Sequence, residues 1–285
     1  MYSNDKSKRN FFCLLKHDAA IGILRPILKW LPVILIFAAS GGYLLAMVEA
    51  SAESGTVSSK ATLGDMLAYV FQGKTPYNPE DKESFSIPFG YLLPNLYLAY
   101  LIGNYPVKDL LGTGQQILLR TQTRARWWLS KCAWCAGTVL AFYLVGYAVM
   151  LVLTAAGGEL SLRLTPELGN LHGMYTEDPS SMAWLPSAFV LPIATSLALS
   201  MLQLGLMMLI KPVGAYIAVA VIVSASAYFY TPLLIGNYSM LLRSVHFMPG
   251  GLGFWLPLMA DIAITLISAA AGLLAFRRYD ILDKA

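Results

Sequence analysis

Charge is scarce in this sequence, and the scarcity decides its solvent. Only 13% of the 285 residues are Asp, Glu, Lys or Arg, against 57% hydrophobic, whereas a soluble domain carries about a quarter charged residues. So few charges cannot clothe a water-facing surface, and the apolar excess calls for a bilayer. A net charge of +4 is too small to argue for nucleic-acid binding. Three cysteines (Cys13, Cys132, Cys135) give no disulfide framework. Cys132 and Cys135 form a C-x-x-C without a second ligand pair, which reads more readily as two membrane-helix thiols than as a metal or redox site. The three histidines (His17, His172, His246) are too scattered for a metal cluster. H-E-x-x-H, G-x-S-x-G and the phosphate-binding G-x-x-x-x-G-K-[ST] are all missing, so the chain lacks a catalytic or ATP-binding motif of its own. No cofactor or metal is expected on it. No cleavable signal is expected either, because the first apolar run starts near residue 27, behind a basic segment, with no clean cleavage site. Asn237-Tyr238-Ser239 matches the glycosylation triplet, a pattern frequent by chance.

Long apolar runs are what the sequence has. A spanning helix needs about 20 mostly apolar residues. Six segments meet or approach that, at about 27–48, 87–105, 132–156, 184–210, 212–235 and 252–276. The second is the most polar, and Lys211-Pro212 alone separates the fourth from the fifth. The expected fold is an all-α membrane protein of six transmembrane helices. Internal prolines (Pro32, Pro94, Pro192, Pro232, Pro257) are tolerated because neighbouring helices can satisfy the freed carbonyls.

Lys and Arg set the expected orientation. They gather in the N-terminal segment, in 106–131, at Lys211 and in the tail at Arg277, Arg278 and Lys284. With six spans these all share one side, so both termini are expected in the cytoplasm, at the inner or plasma membrane. The opposite side takes two sizeable outer loops, 49–86 and 157–183, in which acids outnumber bases. Arg243, in the last outer loop, is the exception. Residues 1–26 read as a cytoplasmic interfacial helix on the anionic leaflet, with Phe11, Phe12, Lys16 and Arg25 among its apolar and basic positions. Leu63, Met66, Leu67, Val70 and Phe71 fall at helical spacing, so 61–73 is expected to lie as an amphipathic helix on the outer interface or to cap the bundle.

Asp261 is the one acid deep in an expected span. A membrane-buried carboxylate is costly and so marks a proton or cation path by default. It is alternatively paired with Arg243 or His246, or held by plain hydrogen bonds in the bundle. Gln203 in the fourth span has the same two readings, pathway residue or interhelical hydrogen bond. Residues 106–131 mix Leu110, Leu111, Ile117 and Leu118 with Gln115, Gln116, Arg120, Arg124, Arg126 and Lys131, before and around Trp127-Trp128. A basic amphipathic connection of that length suits docking to another protein. A positive-inside loop with aromatic anchors accounts for the charges alone.

The arrangement resembles the permease subunit of ABC-2-type transporters. The resemblance is carried by the topology, by Arg120, Arg124, Arg126 and Lys131 before the third span, and by the ending Phe276-Arg277-Arg278-Tyr279-Asp280-Ile281-Leu282. The large outer loops depart from many members. The resemblance implies a pathway formed with a second permease, either another copy or a homologous chain. It also implies a separate ATP-binding subunit that holds ATP and Mg and docks on the N-terminal helix and the 106–131 segment. The implied cargo is an exported peptide (of antimicrobial type), drug or other amphiphile. Two other classes stand beside it: an ion- or proton-coupled secondary transporter using Asp261, and a non-transporting membrane scaffold or sensor.

Overall fold

The computed structural model describes residues 11–77, 86–112, 124–174 and 181–278. Residues 11–18 form helix α1, which continues as a π-helical turn over Ala19–Leu24. A 3-10 turn, Ile27–Trp30, leads into α2, Leu31–Glu53, whose Pro32 sits in the first turn where no helical donor is needed. Then follow α3 (Leu63–Val70), α4 (Phe89–Leu111), α5 (Arg124–Gly157), α6 (Pro166–His172), α7 (Leu185–Tyr228) and α8 (Trp255–Arg278). No strand occurs among the described residues; two isolated bridges, one of them Thr62 with Glu159, are the only β pairing there.

Among the described residues, four helical stretches are long and apolar enough to cross a membrane: Ile27–Glu53, Arg124–Gly157, Leu185–Tyr228 and Trp255–Arg278. They mark the chain as a helical membrane protein. Helix α4 falls short of that apolar standard, because tyrosines, Asn95, Pro94 and the Lys108-Asp109 pair dilute it. Helix α5 is already helical at Arg124, ahead of the apolar run at 132. Helix α7 stops at Tyr228, short of the expected 235; Phe229 turns extended and Pro232 follows.

Helix α7 is a hairpin. At Ile210 and Lys211 the backbone leaves the helix, Lys211 taking φ 67° and ψ 161°, and the clash of Pro212 with the residue before it favours such a break. Run straight, its 44 residues would hold their ends about 65 Å apart. Instead Ser187, near its start, lines one small cavity with Arg243 and Asn237, while Arg243 donates to the carbonyl of Ser226, near its end. The two arms therefore fold back on each other at Lys211.

Arg243 organises the segment between α7 and α8, where Ile235–Ser239 and Leu241–Arg243 are buried 3-10 turns. Its guanidinium, 0% exposed, donates to the carbonyls of Lys74 (3.0 Å), Ser226, Ala227 (3.0 Å) and Phe229 (3.1 Å) and to Asn237 Oδ1. A cation here meets the carbonyls left open at a helix C-terminus. Burial pushes its pKa down to about 10, so the charge survives at neutral pH. Asn237, the first residue of the glycosylation-like triplet, is 1% exposed and belongs to this cage.

Helix α3 does not lie on a surface. Gly64, Asp65, Met66, Leu67, Ala68 and Val70 are all buried, so both faces are covered. Its end runs into the bundle, where Phe71 packs on Phe37 of α2 (6.5 Å between rings) and on Tyr147 of α5 (5.9 Å). Gly64 permits the entry, since a Cβ there would sit 2.5 Å from the Leu162 carbonyl. Asp65 then joins the segment after α2 to the segment after α5. It closes a capping box with Thr62 and accepts from the Thr165 amide (2.8 Å) and hydroxyl (2.7 Å). The amides of Leu241 and Leu242 donate to the carbonyls of Phe71 and Gln72, so all three connections form one cap over this end of the bundle. Asp65→Asn swaps an acceptor for a donor facing these donors. A loss of about 2–3 kcal/mol is expected, read as a lower melting temperature of the purified protein with α1 still docked.

Candidate functional site

The other end of the bundle carries Lys29, Lys108, Arg124, Lys131, Arg277 and Arg278, and a buried charge cluster is built there. On α5, Trp127, Ser130, Lys131 and Trp134 follow the i, i+3, i+4, i+7 spacing of one helix face. On α4, Tyr105 and Asp109 lie one turn apart on the last turns. Asp18 comes from α1, at the start of the π turn. The three elements meet at Lys131.

Lys131 is 1% exposed. Its ammonium bonds to Asp18 Oδ1, lies 2.6 Å from Asp109 Oδ2, and sits 4.8 Å and 5.0 Å from the ring centres of Tyr105 and Trp127. Each carboxylate has further donors. Asp18 accepts from Tyr105 Oη (2.7 Å) and Ser130 Oγ, and Asp109 from Trp127 Nε1 (3.2 Å). His17 Nε2 stands 3.8 Å from Asp109 Oδ1. One cation thus holds two buried acids from two other segments, with the remaining lone pairs largely satisfied. That is the geometry in which a buried ion pair becomes tolerable. Beside it Gly22 lies on Trp134, where a Cβ would be 2.2 Å from the indole Nε1, and the Trp134 ring packs tilted against Tyr105, 4.6 Å between centres. The cluster is a mechanical junction that locks α1 to the ends of α4 and α5. It presents no nucleophile, and both acids are spent on Lys131. Among the described residues no group of three His, Cys, Asp or Glu is placed to hold a metal ion.

The sequence-derived site residues fall in different places. Lys131 is inside the junction rather than on an open docking surface. Arg124 reaches across to the C-terminal turn of α8, donating to the Arg277 carbonyl at 2.8 Å, and Arg126 is half-buried. Phe12, Lys16 and Arg25 are exposed and Phe11 is half-buried along α1 and the bend that follows its π turn. Gln115, Gln116 and Arg120 lie outside the described residues. Gln203 donates to the Ala99 carbonyl at 2.8 Å, tying α7 to α4. Asp261, 1% exposed, accepts from Thr195 Oγ1 at 2.8 Å, and its other oxygen has no partner. Neither Arg243 nor His246 pairs with it. Cys132 and Cys135 are buried thiols, and Cys13 is exposed.

Asp18 and Asp109 are the functional residues that sequence reasoning passed over. A signal was present: Asp18 is the only acid in the basic stretch 11–29, and Asp109 the only acid in 106–131. A lone acid among bases at the mouth of apolar helices is a candidate for an internal pair.

No curated protein and no solved structure matches the chain. A protein-family model described as a protein of unknown function, DUF2705, matches residues 44–282, most of the length. The chain belongs to the DUF2705 family.

Proposed function

We propose that this chain is the membrane-spanning permease subunit of an ATP-driven transporter of ABC-2 type, an exporter of a peptide, drug or other amphiphile. The observation that carries the reading is the junction at Lys131. A helix preceding the first apolar run is fixed rigidly, through Asp18, to the basic ends of α4 and α5. A push on α1 therefore reaches two bundle helices without slack. Such a fixed platform suits a chain moved by an external motor, and the sequence carries no phosphate-binding loop of its own. Six crossings follow if α4 and both arms of α7 span, with the basic end and both termini in the cytoplasm and the cap outside. Lys131 is then a coupling residue through its grip on α1, while Arg126 and the 113–123 segment meet the ATPase. ATP and Mg belong to that partner.

Affinity isolation of the full chain from native membranes in mild detergent tests this. An ATPase with a phosphate-binding loop is expected in stoichiometric amount. Recovery of the chain in functional, transporting form with no ATPase refutes the reading.

One observation favours a second class, the unpartnered oxygen of buried Asp261, which a proton- or cation-coupled carrier would use. Asp261→Asn separates the two. It preserves the acceptor for Thr195, so the permease reading expects transport and melting temperature within experimental scatter of the wild type. A coupled carrier loses at least tenfold in transport.

A further inference from the structure

The basic end also holds a cavity of about 80 Å³ between the π turn, α4 and α5, room for several waters or one phosphate group. Lys29 and Lys108 line it, together with Trp30, Tyr105 and Pro26. Neither lysine forms an ion pair among the described residues, where the ammonium paired with carboxylates is that of Lys131. The neighbouring acids Asp18 and Asp109 do not line the cavity; Tyr105, which donates to Asp18, forms the wall towards them. The site is thus a pocket lined by two lysines without a carboxylate partner and by no carboxylate. Directly beside it, Leu24, Ile27, Leu28 and Leu31 are 71%, 72%, 80% and 53% exposed. Trp30 donates its indole N–H to the Ile23 carbonyl (2.9 Å), an aromatic anchored at the start of the apolar run, where an interfacial ring belongs.

We propose that this pocket binds the phosphate headgroup of an anionic phospholipid, with its acyl chains laid along Ile27, Leu28 and Leu31. Charge complementarity selects an anion, and the adjoining exposed leucine and isoleucine surface selects one that carries hydrocarbon. Basic pockets between membrane helices are suited to such headgroups. A lipid seated there would brace the bend at Arg25-Pro26 between α1 and α2, the one covalent link from the platform into the first spanning helix. The proposal is independent of the ATPase: a chain with no motor partner would still bind the lipid.

The test uses the full-length chain in detergent, titrated with phosphatidylglycerol or with phosphatidylcholine of identical acyl chains, bound lipid being counted by native mass spectrometry. Phosphatidylglycerol is expected to bind at least tenfold more tightly. Each lysine near a surface adds about a fivefold preference for an anion, so Lys29→Gln/Lys108→Gln is expected to bind it about thirtyfold more weakly. Phosphatidylcholine binding should be unchanged, and Lys29→Arg/Lys108→Arg should keep the wild-type affinity. Should the double glutamine variant not fold, Lys108→Gln alone, at an exposed side chain, is expected to cost about fivefold. Equal binding of the two lipids, or undiminished phosphatidylglycerol binding by the glutamine variants, overturns the proposal. So does full competition by inorganic phosphate, which would make the pocket a soluble-anion site.

Discussion

Replacing Lys131 with Met is expected to destabilise the protein by about 3–5 kcal/mol, because it leaves two buried carboxylates without their cation. Methionine matches the lysine stem and fills the space between Tyr105 and Trp127, so the loss reports the charge and not a cavity. With total stabilities of about 5–15 kcal/mol, a change of that size lowers accumulation steeply. The injury should be directional. Asp18 is held by Lys131, Ser130 and Tyr105, so α1 detaches first and becomes open to proteolysis while the cap end stays folded. Restoring neutrality tests the cause. Lys131→Met combined with Asp18→Asn and Asp109→Asn should recover most of the melting temperature, since an apolar or neutral replacement of a whole buried ion group is often tolerated. Equal damage in the single and triple variants would show that the junction depends on shape and not on charge.

Arg243→Ala is expected to be at least as severe, at about 4 kcal/mol or more, and at the opposite end. The carbonyls of Lys74, Ser226, Ala227 and Phe229 and the side chain of Asn237 would lose their donor together, each unsatisfied group costing about 1–3 kcal/mol. Arg243→Lys keeps the charge but not the planar fork, so it should recover only a part. Thermal unfolding of the purified protein measures the size of the loss, and limited proteolysis measures its place. Cuts are expected in 229–254 and in the 49–86 and 157–183 connections with α1 still protected, the mirror image of the Lys131 result. Cuts at α1 in the Arg243 variant would mean the two ends are not separate structural units.

Much of the helical scaffold was legible because its cause is local. The apolar runs near 27–48, 132–156, 184–210 and 252–276 each became a helix, and the Lys211-Pro212 break was readable from proline alone. What escaped has non-local causes. The stripe Leu63, Met66, Leu67, Val70, Phe71 announced a one-faced helix, but Gly64 on its other side is small enough to admit the Leu162 backbone, and Ala68 on that side is buried as well. Asp18 and Lys131 stand 113 residues apart, beyond any periodicity. Each looked like ordinary charge in a basic segment until the fold placed one on the other. Lys131 shows the same limit within one residue: its resemblance-implied role was on a docking surface, while its position is internal. Arg243 was the exception to the charge bias, and its explanation is a ring of carbonyls that no sequence pattern displays.

The account depends most on which side the basic end faces, since an ATPase can reach α1 and the 113–123 connection only from the cytoplasm. The chain supplies its own probe. Cys13 on α1 is exposed, while Cys132 and Cys135 are buried, so a membrane-impermeant maleimide reads one position without engineering. No labelling of intact cells and full labelling of inside-out vesicles, abolished by Cys13→Ser, is the result expected. Labelling of Cys13 in intact cells would contradict the orientation, and with it the proposed coupling to a cytoplasmic motor.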